Sequence, residues 1–493
     1  MTNIHEQAMS NVYQQVLARL LSFFSRAERT ALQLLIQRLG AAAGGMEQIA
    51  DLKVLAIQTG TRDSCYTLAL LRAAQLTIAS RAPATFHLRV ATLRLNGTHP
   101  MALENINRSY SALFVCDDPR VEVLMADNRK VVPFDPLVPF SRAGRESNRL
   151  NMLMLGHRRA CGGLLDLWDD GYLATGEFYG QITRWNHGVD VLISSDTPRQ
   201  QKLFFEGLKR AAAKAGHHSS SHHEPGYAGL FAFIDEMGSN GYQRFYSEPG
   251  HQPWRPAEDF ETCRRATLVD IHDLMVSNLE ERGPLLTDFL GFQADELADQ
   301  LSDNDYVSLP LSAHLRGLHG CFVQGRTYEE GVGQYLQRAL ITLRRKRLPE
   351  RLCEQVFEAF GNPATITLLR TQIAIEAQRN LGLSEAQLVC LLFAPFVDNG
   401  AALERFLRRC HPGMMVGLPD LHRAMQGHHV ADQIVQWLVD VSGLPLHLVC
   451  ELYRRESVVD EGRVPELMGG YAGLEIDALA PHSPVPGESP AGR

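Results

Sequence analysis

The sequence lacks a CxxC pair, a long apolar run and any excess of basic charge. Its nine cysteines stand at 65, 116, 161, 263, 321, 353, 390, 410 and 450, an odd and scattered set. Without paired spacings they do not read as a disulfide framework, so a reduced, cytoplasmic setting is expected. No run reaches the roughly 18 apolar residues of a membrane span, so no membrane is expected as a partner. The opening "MTNIHEQAMS" has no basic stretch leading into an apolar one, and no ordinary secretory signal is expected. Export by a dedicated machine stays open. The net charge of −8 argues against a nucleic-acid partner. The one basic run, "LRRKRLPER" at 343–351, closes a predicted helix and reads as a solvated helix end. Absent too are a Walker A loop, a GxGxxG fingerprint, a GxSxG elbow, an HExxH helix and an EF-hand loop.

What is present is globular material. Hydrophobic residues make up 45% and charged residues 21% of 493 positions. That is enough for a buried core and for two or three domains. Helical spacing of apolar residues over 10–40, with Ser25 and Glu28 as a capping box and Gly40 as a stop, defines a helical N-terminal segment, 1–45. The stretch "GAAAGG" at 40–45 reads as a hinge.

From 46 to 235 short apolar runs alternate with helical stretches, which predicts an α/β domain. Strands are expected at 53–58, 86–95, 112–116, 121–125, 130–134, 150–155 and 189–194. The segment "VEVLMADNRKVVPF" reads as a hairpin turning at 126–129. The Gly, Ser, His and Pro content of 216–260 marks a loop or boundary. Beyond it, 260–474 reads as a mainly helical domain, with a second capping box at Ser384 and Gln387. Residues 475–493 read as a disordered tail. The expected fold class is thus an α/β central domain with a mainly helical N-terminal segment and a helical C-terminal region.

Two stretches carry metal-binding residue types. "LFVCDDPR" places Cys116, Asp118 and Arg120 two residues apart, on one face of an extended segment. "GHRRACGG" adds His157 and Cys161. Zinc takes such Cys and His ligands, three from the protein when one position is kept for water. An Asp held by an Arg could orient zinc-bound hydroxide. The structural alternative makes Cys116 a sheet filler, His157 a strand cap and Asp118–Arg120 a surface pair.

These residues resemble the β-class carbonic anhydrases, which carry C-x-D-x-R and, later, G-H-x-x-C-G-G. "CDDPR" matches the first motif in full, and "GHRRACGG" matches the second with one extra residue. The resemblance covers about fifty residues. It implies a zinc-dependent lyase that hydrates carbon dioxide reversibly. Cys116, His157 and Cys161 would be the ligands, and Asp118 and Arg120 the catalytic pair.

A competing signal lies in "LAIQTGTRDSCYTLALL" at 55–71, a strand, a tight loop and a helix. A helix start of this kind suits an anion. The loop resembles the SGGxDS phosphate loop of ATP pyrophosphatases at Gly60, Asp63 and Ser64, with Thr59 for the Ser and Thr61 for the second Gly. That resemblance implies ATP-dependent adenylyl transfer. The plainer reading is a βα turn capped by Asp63 or Ser64. "VLISSDTP" at 191–198 is expected to line the same edge as Cys116 and His157, or to cap a helix before Pro198. His217, His218, His222, His223 and Glu224 are metal-capable but sit in a Ser/Gly/Pro-rich stretch. A small-molecule substrate is expected. A third reading makes the chain a non-catalytic protein whose helical C-terminal region binds a partner or a second copy.

Overall fold

Two helices lead into the sheet, α1 (Thr2–Ser22) and α2 (Arg26–Ala43), and the break between them is set by Ser25. Its side chain accepts from the Glu28 N–H while the Glu28 carboxylate accepts from the Ser25 N–H, the expected capping box. Gly40 does not stop α2. The helix runs on to Ala43 and ends at Gly44, whose φ of 83° closes the last turn in the left-handed region. The computed structural model describes residues 2–458 apart from 83, 128–129, 160–166, 168, 218–226, 238–265, 277–278, 295–296, 298–300 and 302–307.

The central sheet is built from β1 (Lys53–Ile57), β2 (His87–Arg94), β3 (Val121–Asp127), β4 (Lys130–Pro133), β5 (Val191–Ser194) and β6 (Thr267–Asp270). Its spatial order is β4-β3-β2-β1-β5-β6. All neighbours are parallel except β3 and β4, the expected hairpin, which pair antiparallel at one edge. The helices between the strands are α3 (Arg62–Ala79), α4 (Pro100–Leu113), α5 (Arg142–His157), α6 (Asp169–Ile182), α7 (Pro198–Lys214) and α8 (Tyr227–Met237).

The period-2 alternation of the strands sorts side chains onto two faces. Val54, Ala56, Val90 and Ile193 pack with α1 to α4 on one side. Leu55, Ala91 and Leu192 pack with α5 to α8 on the other. Each of the Val, Leu and Ile side chains among these, fully buried, is worth about 1.5–3 kcal/mol. The second core continues without a break into the later helices, from α10 (Leu309–Leu318) to α18 (Leu446–Tyr453). Between β6 and α10 lies α9 (Leu279–Pro284), which runs into a π-helical turn, Leu285–Phe289. Fold class is therefore as expected: an α/β unit preceded and followed by helices.

Three local expectations are corrected. The run at 112–116 is not a strand: α4, started by His99 and Pro100, continues to Leu113 and ends at Phe114 in the left-handed region. The run at 150–155 is the middle of α5, which Ser141 caps by accepting from the Gly144 N–H. The sheet also takes its sixth strand, β6, from beyond residue 260. Among the described residues no single helix is long and apolar enough to cross a membrane.

Candidate functional site

In this strand order, β1 is the point where the sheet reverses direction. β2 lies on one side of it and β5 on the other, so their connections run to opposite faces. In such sheets the crevice beyond the carboxyl ends of the strands at this point is the usual place for a ligand. The loop that enters it from β1 is 58–61, and α3 begins at Arg62.

Three hydroxyls close this loop on itself. Thr61 is the N-cap, and its Oγ1 accepts from the Ser64 N–H at 3.4 Å. Thr59 Oγ1 lies 2.9 Å from Thr61 Oγ1 and 3.3 Å from Ser64 Oγ. Ser64 Oγ donates to the Thr61 carbonyl at 3.0 Å. The cap is thus Thr61 and not Asp63 or Ser64, because α3 starts at Arg62, earlier than either of those would allow. Beneath the loop, Gln58 is fully buried; its Oε1 accepts from the Gly60 N–H and its Nε2 donates to the Ser64 carbonyl.

Gly60 has φ of 77°, and a Cβ there would stand 2.3 Å from the Ala102 carbonyl oxygen in the first turn of α4. Only glycine lets the backbone approach so closely in that conformation. Asn105 of α4 holds the other side, donating from Nδ2 to the Gly60 carbonyl and to the Gln293 carbonyl. A helix start at this position favours an anion, with the Ser64 N–H already held by Thr61. Asp63, in that turn, is half exposed and pairs at 2.7 Å with Nη1 of the buried Arg282. From the neighbouring β5, Ser194 Oγ accepts from the Asp196 N–H, and Thr197 forms a capping box with Gln200 at the start of α7. The stretch 191–198 therefore shares its edge with the 58–64 loop.

Cys116, Asp118 and Arg120 lie elsewhere. They precede β3, so they sit at the amino-terminal edge of the sheet, opposite the crevice. Cys116 is an exposed residue on the turn after α4. Partial desolvation, and then Asp117, push its thiol pKa up, away from the thiolate a metal needs. Asp118 and Arg120 do form the expected pair, with Nε and Nη2 on the two carboxylate oxygens at 2.8 and 2.6 Å. Asp118 also accepts from Nη1 of Arg72, a fully buried arginine of α3, at 2.8 Å. Burial alone would raise the Asp118 carboxyl, but Arg120 and Arg72 outweigh it and hold it below the ordinary carboxylate range. Arg72 in turn donates to the carbonyls of Leu113 and Phe114, tying α3 to the end of α4.

His157 is the last residue of α5. Its ring is fully buried and packs against Phe396 at 5.2 Å between centroids. Both ring nitrogens lack a hydrogen bond within normal geometry, the Ser442 backbone being a weak polar neighbour. Burial pushes its pKa down to about 3, so the ring is neutral. Cys161, and with it His218, His222, His223 and Glu224, lies outside the described residues. Among the described residues no three His, Cys, Asp or Glu side chains are grouped to hold a metal ion.

Local sequence patterns do not reveal Arg72, Gln58, Asn105 or Arg282. A single arginine in the apolar run of α3 is the one hint, and it points to Arg72. Compared with family models, curated proteins and solved structures, the chain matches none.

Proposed function

We propose that the chain binds a nucleoside triphosphate in the β1–β5 crevice and uses it for adenylyl transfer. One observation carries this reading: the loop "TGTRDS" at 59–64, similar to the SGGxDS phosphate loop, stands at the switch point of a doubly wound sheet. The start of α3 would favour phosphate oxygens, and Thr59, Thr61 and Ser64 would supply hydroxyls beside them. Calorimetric titration with ATP tests it. Saturable binding that is lost in Gly60→Ala supports the reading, and release of pyrophosphate instead of orthophosphate identifies adenylyl transfer. A folded chain that ignores millimolar ATP overturns it.

The formed Asp118–Arg120 pair supports a second reading, a zinc-dependent lyase like the β-class carbonic anhydrases. It requires Cys161 to bring the exposed Cys116 and the buried His157 onto one ion. Metal analysis of the purified chain decides it. A chain that takes neither nucleotide nor zinc leaves the partner-binding reading.

A further inference from the structure

We infer that Arg282 is the polyphosphate-contacting cation of the crevice, held by Asp63 until the terminal phosphates of a nucleotide take the place of the carboxylate. The inference rests on the phosphate-loop reading and adds a substrate class, a triphosphate in preference to a monophosphate.

Arg282 reaches the loop from α9, 219 residues further along the chain than Asp63. Its side chain is 7% exposed, whereas that of Asp63 is 57% exposed. A buried guanidinium requires an anion. Here, among the described residues, its ion-pair partner is a carboxylate that water can reach. Such a half-exposed partner is readily exchanged.

The guanidinium is preorganised apart from that carboxylate. Nε donates to the Val276 carbonyl, and the group lies over the Tyr66 ring, 4.9 Å from its centroid. Tyr66 is fixed in turn by donating its hydroxyl to Glu28 Oε1 at 2.9 Å. Nη1 goes to Asp63, and Nη2 has no hydrogen bond among the described residues. A purely structural charge would not need a fixed plane with one arm of its fork open. A phosphate does, because its oxygens match the fork in pairs. Asp63 belongs to the first turn of α3, the helix that starts at the phosphate-like loop. An anion seated on that turn lies beside the carboxylate that now holds Arg282.

The test is titration of the full chain with ATP, inorganic pyrophosphate and AMP as separate probes. In Arg282→Gln, binding of ATP and of pyrophosphate weakens by about tenfold or more, the loss of a charge-assisted hydrogen bond, while AMP binding stays within twofold. Arg282→Lys keeps the charge, gives up the fork, and weakens pyrophosphate by a smaller factor. It carries the test where Arg282→Gln does not fold. Wild-type binding of ATP with equal affinity in both variants overturns the role of Arg282 alone. A uniform loss for all three probes makes Arg282 structural and also overturns it. A wild-type chain that binds neither ATP nor pyrophosphate overturns the phosphate-loop reading with it.

Discussion

Asp118 and Arg72 meet with both side chains wholly inside the protein, Oδ2 to Nη1 at 2.8 Å. The pair locks α3 against the segment that joins α4 to β3. Removing Asp118 leaves an uncompensated guanidinium. Asp118→Ala is therefore expected to cost about 3–5 kcal/mol in urea unfolding. The pair is also acid-sensitive. The folded pKa of Asp118 lies below its unfolded value of about 3.9. Its contribution is complete above that value and is lost as the pH falls through the lowered one. A variant with unchanged stability at pH 7 would refute this account.

Gly60→Ala is expected to damage the crevice directly. It places a Cβ against the Ala102 carbonyl and strains a left-handed residue, worth about 1–3 kcal/mol. A thermal melt should show the loss. Titration should show ATP affinity falling more than in a substitution at the far edge, such as Cys116→Ser.

His157 makes a separate acid-side prediction. Its folded pKa of about 3 lies below its ordinary value of 6.5. The unfolded chain therefore takes up a proton that the folded chain refuses, and stability falls as pH drops from 6.5 towards 3. The slope is about 1.4 kcal/mol per pH unit for this one proton. His314, which burial lowers to about 4, adds a second. Denaturant unfolding of His157→Leu at pH 7 and pH 5 should show a fall smaller by about 2 kcal/mol than in the wild type. An unchanged fall would show that His157 is not buried in solution.

Cys116→Ser is expected to leave the melting temperature and the zinc content unchanged, since the residue is exposed and lies on a turn. Mass-spectrometric metal analysis checks this. One zinc per chain, lost in both Cys116→Ser and His157→Ala, would instead carry the lyase reading.

The sequence made some parts of this structure legible and hid others for physical reasons. β1, β2 and β5 are β-rich runs followed by turn chemistry, and they read correctly. The runs at 112–116 and 150–155 are apolar on all sides, and over five or six residues a buried helix gives the same pattern as a buried strand. The signals that decide between them lie further out, at His99–Pro100 and at Ser141. β6 is four residues long and only its pairing with β5 makes it a strand. The βα loop at 58–64 was readable because strand, loop and helix follow one another directly. Arg72 and Arg282 were not, since their partners stand 46 and 219 positions away and no local rule links them.

The position of β6 fixes when the sheet can be finished. During synthesis, the side of β5 facing away from β1 has no neighbour until Thr267–Asp270 has left the ribosome. Up to that moment the nascent chain carries an open parallel edge built from the buried residues Val191, Leu192 and Ile193. The α9 segment, whose Arg282 pairs with Asp63, follows β6 in the chain and emerges after it. The pair between Asp63 and Arg282 therefore cannot form before every strand of the sheet has been made.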